Sequence, residues 1–256
     1  MIICCGEALI DMIPTTLDSK ETAFIPKIGG AILNTSICLG RLGADVGFLG
    51  AVSKDLFGEQ ILEELINSKV NTSFCIETSN NTTLAFAKIA NGTTTYSFFD
   101  ENSSNRTICL KDVVLDDSVV DTIYVGGISL MSEPNGTEIE NFIAKESSKK
   151  IVFYDPNVRP NFIEDRSLFI QRFEKILSQS DIIKISEEDL EWLYPNGSFE
   201  EIYKQWLNLG LSIIVLTKGS EGAIIKTKNY EVTSRGEKVE VVDTIGAGDI
   251  FNGALL

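Results

Sequence analysis

Apolar and polar positions along the chain change period, and the change divides it. Residues 2 to 13 (IICCGEALIDMI) form a nearly unbroken apolar run that predicts a first strand, followed by a polar stretch up to Gly29-Gly30. Residues 31 to 42 (AILNTSICLGRL) carry Leu33 and Ile37 at helical spacing and stop at Gly43, which predicts a helix. Residues 46 to 52 predict a strand, and residues 55 to 68 a helix burying Phe57, Ile61, Leu62, Leu65 and Ile66. The pattern then shortens: residues 84 to 89 and 93 to 99 flank Asn91-Gly92, a strong hairpin signal. Afterwards strands at 122–129, 151–155, 181–186 and 212–217 alternate with helices at 135–148, 166–178, 187–194 and 199–209. Residues 222 to 233 predict a late antiparallel hairpin before a final helix.

Strand–helix alternation implies a mostly parallel sheet with helices on both faces. The 84–99 hairpin interrupts it and reads as an inserted small β lid. With no repeat and no low-complexity linker, 256 residues suit one large α/β domain or two small ones, and 43% hydrophobic content is enough for a full core.

Charge narrows the partners. Against 37 acidic residues stand 22 basic ones, a net charge of −15, which argues against nucleic acid or an anionic membrane surface. No apolar run approaches a membrane span, and the N-terminus has no basic segment but does carry Glu7 and Asp11, unlike a secretory signal. Cys4, Cys5, Cys38, Cys75 and Cys109 are odd in number and lack C-x-x-C spacing, as expected for buried free thiols of a cytoplasmic protein. There is no histidine, which removes Ser-His-Asp triads, H-E-x-x-H zinc sites and the H-R-D loop. No G-x-x-x-x-G-K-[ST] loop and no G-x-G-x-x-G after the first strand occur, which excludes P-loop enzymes and dinucleotide-binding oxidoreductases.

The richest stretch is VVDTIGAGDIFNGALL, residues 241 to 256. A small-residue turn, Gly246-Ala247-Gly248, opens a helix and so presents backbone N–H groups at the positive end of the helix dipole, an anion site. Asp249 at its lip has the wrong charge to hold a phosphate and the right group to take a proton from a hydroxyl attacking one. Taken alone, such a turn is more often just a turn.

Other candidates are of the same double kind. Asp11, near the end of the first strand, can accept hydrogen bonds from two sugar hydroxyls or be an exposed strand-end acid. Gly29-Gly30 with Asn34 permits close approach by a ligand or is a plain loop-to-helix junction. Arg106 follows the lid, and Arg159 follows Asp155-Pro156-Asn157 at a strand end, where ligands bind in open α/β sheets. Lys184-Ile185-Ser186-Glu187-Glu188-Asp189 runs from strand to helix. Ser186 as N-cap with acids in the first turn explains it structurally, and an acid reaching Mg²⁺ through water is the functional reading. Thr217-Lys218-Gly219-Ser220 ends another strand and faces nucleotide phosphates or only solvent.

In order and spacing these pieces resemble the ribokinase-like, or PfkB-type, carbohydrate kinases over essentially the whole chain. GGAILNTSICLGRLG resembles the family's first signature and DTIGAGDIFNGAL its more specific second one. GEALIDMIP, TLAFAKI, YSFFDENSSNR, GGISLMSEP, YDPNVRP and KISEEDLEWLYP resemble the fructokinase branch. The resemblance implies one α/β domain over residues 1–256: a ribokinase-like three-layer α/β/α sandwich with a mostly parallel central sheet and a small β lid from about 12–30 and 82–108, often paired lid to lid in a homodimer. It implies ATP-dependent phosphorylation of a primary sugar hydroxyl, D-fructose before 2-keto-3-deoxygluconate.

By the same resemblance Asp249 is the catalytic base, and Gly246, Ala247 and Gly248 form the anion hole. Asp11, Gly29, Gly30 and Asn34 hold the sugar, and Arg106 and Arg159 line its path. Lys184, Ser186, Thr217, Gly219, Ser220 and Gly222 face the nucleotide together with the turn. Asp189 meets Mg²⁺ through water, and Asp243 with the Ile245 carbonyl holds a monovalent cation such as K⁺. Ser186 and Asp189 stand where many relatives have Asn and Glu. Family members continue beyond the final helix, so the domain's C-terminal part is expected to be missing after Leu256. A sugar-binding protein without catalysis is the rival reading of another class.

Overall fold

The computed structural model describes residues 1–90, 93–240 and 244–256. The lid turn at Asn91-Gly92, the apolar pair Val241-Val242 and the candidate cation ligand Asp243 lie outside the described residues.

The predicted first strand is two strands in two different sheets. β1 (Ile2–Cys5) enters the main sheet, whereas β2 (Leu9–Thr16) runs out into the lid. Gly6 permits the switch, because a Cβ there would sit 2.6 Å from Ile32 Cγ1. The polar stretch is also a strand, β3 (Thr22–Gly29), antiparallel to β2, with Asp11 opposite Lys27. α1 (Ala31–Leu42) follows as predicted and ends at Gly43 in the left-handed conformation. The predicted strand 46–52 divides into β4 (Val46–Leu49) and β5 (Ala51–Ser53), and β5 pairs with β6 (Ile76–Thr78). Between these, α2 (Leu56–Asn67) is capped by Asp55, whose carboxylate accepts the N–H groups of Phe57 and Gly58 at 3.0 and 2.9 Å. Ile61 and Leu65 are buried there, but Ile66 is 62% exposed, because it falls outside the helix's inner stripe.

β7 (Thr83–Ala90) and β8 (Thr93–Phe99) complete a four-stranded lid in the order β3-β2-β7-β8. Then come β9 (Thr122–Gly126), α3 (Asn135–Glu146), β10 (Ile151–Asp155), α4 (Arg166–Leu177), β11 (Ile182–Ser186), α5 (Glu187–Leu193), α6 (Phe199–Leu209) and β12 (Ile213–Thr217). β13 (Ala223–Lys226) and β14 (Glu231–Ser234) form the late hairpin, and α7 (Ala247–Leu255) is last. The main sheet has the order β14-β13-β12-β11-β10-β9-β1-β4, parallel from β12 to β4 and antiparallel at β13 and β14.

Side chains alternate across this sheet, and each face has its own core. Ile3, Cys5, Val125, Val152 and Tyr154 pack with Phe142 of α3, Phe173 of α4, Leu190 of α5 and Trp206 of α6. Cys4, Tyr124 and Phe153, one step along, pack with Leu33 of α1, Ile61 of α2 and Leu255 of α7. That is the three-layer sandwich expected. Cys4 and Cys5, one on each face, are buried free thiols whose pKa burial raises, whereas Cys109 is exposed, against the expectation of buried cysteines. Among the described residues no helix is long and apolar enough to cross a membrane.

Candidate active site

The parallel strands end at one edge, and the candidates gather there. α7 begins at Gly246 in the left-handed region, φ 75°. Its first helical bond runs from Ile250 N–H to the Gly246 carbonyl at 2.9 Å, so the positive end of the helix lies at Ala247 to Asp249. Ala247 donates its own N–H to Thr244 O at 3.2 Å, so one of the three expected anion-hole residues is already engaged. Ala247 and Gly248 are exposed and Gly246 is half-buried, but the Asp249 side chain beside them turns inward and is 7% exposed. Burial pushes its pKa up to about 6, opposed by a hydrogen bond from Asn34 and by Lys184, and aided by the negative Asp155 and Glu7.

α1 supplies the other wall. Asn34 Nδ2 donates to Asp249 Oδ2 at 2.8 Å, and Thr35 Oγ1 lies 3.2 Å from the Asp249 carbonyl. Close packing of α1 on α7 needs Gly253, where a Cβ would be 2.7 Å from Cys38 Sγ. The start of α1 is held by Glu7: its carboxylate accepts Ala31 N–H at 3.0 Å, Ser129 N–H at 3.3 Å and the Ser129 hydroxyl. Glu7 is fully buried, and desolvation raises its pKa against these bonds. Gly30 (φ 107°) brings the backbone past Glu7, and Gly127, where a Cβ would be 2.2 Å from Glu7 Oε1, does so from the loop after β9.

Asp11 reaches the same region from the lid. A Cβ on Gly29 would lie 2.2 Å from Asp11 Oδ2, so the carboxylate rests directly over that glycine. Burial raises its pKa to about 6. A cleft of about 340 Å³ runs from Asn34 outward between Ile28 of β3 and Ile37 and Arg41 of α1. Neither Asp11 nor Asp249 lines it, so it flanks the gathered residues.

The two arginines are less free than their positions implied. Arg106 is ion-paired with Asp100, donates to the Glu133 carbonyl at 2.9 Å and lies 5.6 Å over the Phe162 ring. Arg159 is exposed and donates to the carbonyls of Asn157 (3.3 Å) and Val158 (3.0 Å).

On the nucleotide side, Lys184 is 5% exposed and its Nζ is 3.5 Å from where a Cβ on Gly248 would be, so it lies under the turn. Its ammonium is paired with Asp155 Oδ2 at 3.0 Å. The same oxygen accepts Asn252 Nδ2 at 2.7 Å, and Asn252 Nδ2 also donates to Tyr124 OH at 2.9 Å. Ser186 caps α5 by accepting Asp189 N–H at 3.1 Å. Asp189 is 7% exposed and accepts Val158 N–H at 2.9 Å, while burial and Asp155 raise its pKa. Thr217 Oγ1 bonds the Ile185 carbonyl at 3.4 Å, and Gly219 and Ser220 are exposed. Gly222 (φ 106°) is a close approach to Ser234 O, which a Cβ would meet at 2.0 Å, a structural role for that glycine. Among the described residues no group of three or more His, Cys, Asp or Glu could hold a metal ion.

Glu7, Asp155, Asn252 and Tyr124 were not singled out in the sequence. A carboxylate in an apolar run was a signal for Glu7, and Asp155 stood beside the Pro-Asn turn. Nothing local marks Asn252, whose partners are 97 and 128 positions away.

Comparison with known proteins finds relatives over the whole length of the chain. The whole chain aligns over its 256 residues, at 42% identity, with a fructokinase of Rhizobium leguminosarum bv. trifolii, 78% of which is covered. Probable fructokinase-6, chloroplastic, of Arabidopsis thaliana is 31% identical, with all of this chain and 69% of that one covered. Among solved structures, fructokinase with bound ATP from Xylella fastidiosa superposes with TM-score 0.90 at 25% identity, over 98% of this chain and 79% of that one. The family model described as pfkB family carbohydrate kinase matches residues 1–256, and the chain belongs to that family.

Proposed function

We propose that this chain is an ATP-dependent sugar kinase that transfers the γ-phosphoryl group to a primary hydroxyl of D-fructose, giving fructose 6-phosphate. The observation that carries the reading is Asp249: a buried carboxylate at the mouth of a glycine turn, held by Asn34 of the helix that opens at Gly29-Gly30. The fructokinase names of its relatives supply the sugar.

In this reading Asp249 takes the hydroxyl proton as the oxygen attacks, and the α7 mouth with Lys184 stabilises charge on the transferring group. Asp11 binds sugar hydroxyls over Gly29 and Gly30. Arg159 lines the sugar path, and Arg106 does so through the lid segment it anchors. Ser186, Thr217, Gly219 and Ser220 border the nucleotide. Asp189 would hold Mg²⁺ through water, and the ion would neutralise charge on the nucleotide's phosphates. K⁺ at Asp243 and the Ile245 carbonyl belongs to the same proposal. Exposed lid residues Phe24, Ile25 and Phe99 support a lid-to-lid homodimer, and the setting is cytoplasmic.

The pairing of Arg106 with Asp100 disfavours 2-keto-3-deoxygluconate, whose carboxylate would need a free arginine pair. ADP release with Mg²⁺-ATP, K⁺ and fructose, beside ribose and 2-keto-3-deoxygluconate, tests the proposal. Turnover on fructose above the others is expected. Turnover only on the keto acid sinks the fructose assignment. Fructose binding without any turnover favours the sugar-binding protein.

A further inference from the structure

One carboxylate at the end of β10 reaches both halves of the site. Asp155 is 1% exposed. Its Oδ1 accepts Asn157 N–H at 3.1 Å, and its Oδ2 accepts both Lys184 Nζ (3.0 Å) and Asn252 Nδ2 (2.7 Å). Lys184 stands on β11 beneath Gly248. Asn252 stands on α7 three residues after Asp249, on the same side of that helix. Among the described residues Asp155 is the one hydrogen-bond partner of the Lys184 ammonium. The second bond of Asn252 Nδ2, to Tyr124 OH on β9, prevents α7 from turning about its axis without breaking one of the two.

A buried ion pair is weak evidence for stability, since removing two charges from water offsets most of their attraction. Phosphoryl transfer, however, asks for a base and a positive group held at a set separation before the phosphate arrives. Resting on the kinase reading above, we propose that Asp155 is a positioning residue for phosphoryl transfer, a single carboxylate that sets the Lys184 ammonium and the Asp249-bearing helix at a fixed separation. It touches neither sugar nor nucleotide. It acts through Lys184 and through Asn252.

Asp155→Asn keeps the shape and removes the charge. Asn252→Ala cuts the tether to α7 and leaves the Asp155–Lys184 pair. With ATP and fructose, kcat is expected to fall about 10- to 100-fold in each. The dissociation constant for fructose, measured by calorimetry, is expected to stay within about twofold of the parent, since Asp11, Gly29 and Gly30 are untouched. Thermal unfolding shows whether each chain folds; if Asp155→Asn does not, Asn252→Ala decides on the same two readouts. Parental kcat in the folded variants overturns the proposal. So does a fall in kcat matched by an equal loss of fructose affinity, which marks a general structural role. A parent chain that turns over no sugar overturns the kinase reading itself, and this role with it.

Discussion

Asn34 on α1 donates its side-chain amide to Asp249 on α7, with 2.8 Å between Nδ2 and Oδ2, across 215 positions of the chain. The residue expected to hold sugar therefore also holds the candidate base. Its hydrogen bond favours the ionised carboxylate, which burial disfavours. Because the base must be ionised, activity should fall as pH drops through about 6. Asn34→Ala removes the opposing bond and raises that acid limb, by roughly half to one pH unit for a bond worth about 1 kcal/mol. The pH profile of kcat checks it; a limb that stays put or moves down counts against the pairing.

Asp249→Asn should keep sugar affinity and lose about 10²- to 10⁴-fold in turnover. It should also change stability in a pH-dependent way. The folded pKa of about 6 is above the ordinary 3.8, so the folded state prefers the protonated acid. The stability this preference contributes is fully present below about 3.8 and is lost as pH rises through about 6. The shift of roughly 2 units corresponds to about 3 kcal/mol, the stability lost by pH 8. The asparagine chain does not lose it. Its unfolding midpoint should exceed the parent's at pH 8 and converge toward pH 4, as denaturant melts at both pH values would show.

Gly29→Ala places a methyl group 2.2 Å from the present position of Asp11 Oδ2. The carboxylate has to move, and fructose affinity should drop at least about tenfold, with kcat less affected. Equal affinity by calorimetry would remove Asp11 from the sugar contacts.

Two glycines of the turn should behave differently. Gly246 has φ 75°, and a Cβ there meets only Asp249 Oδ2, at 3.9 Å. Gly246→Ala thus costs the left-handed conformation alone, about 1–2 kcal/mol. Gly248 is not in that region, and its Cβ would lie 3.5 Å from Lys184 Nζ, an ordinary contact. Gly248→Ala should leave stability unchanged or raise it by up to about 1 kcal/mol while lowering kcat, because the methyl stands at the mouth of the helix. Denaturant melts beside turnover separate the two effects.

Most element positions were readable because they depend on neighbours in sequence. Leu33 and Ile37 at helical spacing marked α1, and the strand at 151–155 agrees to the residue. The break in the first strand was not readable. Apart from Gly6, Glu7 and Asp11, residues 2 to 13 are apolar, and only the presence of two sheets decides that Cys5 ends one strand and Leu9 begins another. β3 was hidden for a related reason: it lies in the lid, and along it exposed residues outnumber buried ones and no alternation survives.

Short stretches of chain encode their own parts: the glycine turn with Asp249 behind it, the Gly29-Gly30 entry to α1, the strand-end Arg159, and the family they spell together. What each part touches comes from the assembled fold. Asp155 meets Asn252 across 97 positions, and Glu7 meets Ser129 across 122. Arg106 is taken by Asp100, which its sequence position alone did not show. Turn geometry and helix polarity are local properties of a few residues. Which buried carboxylate finds which donor depends on the order in which strands assemble into the sheet, and on burial that leaves each charged group only the partners the fold brings to it.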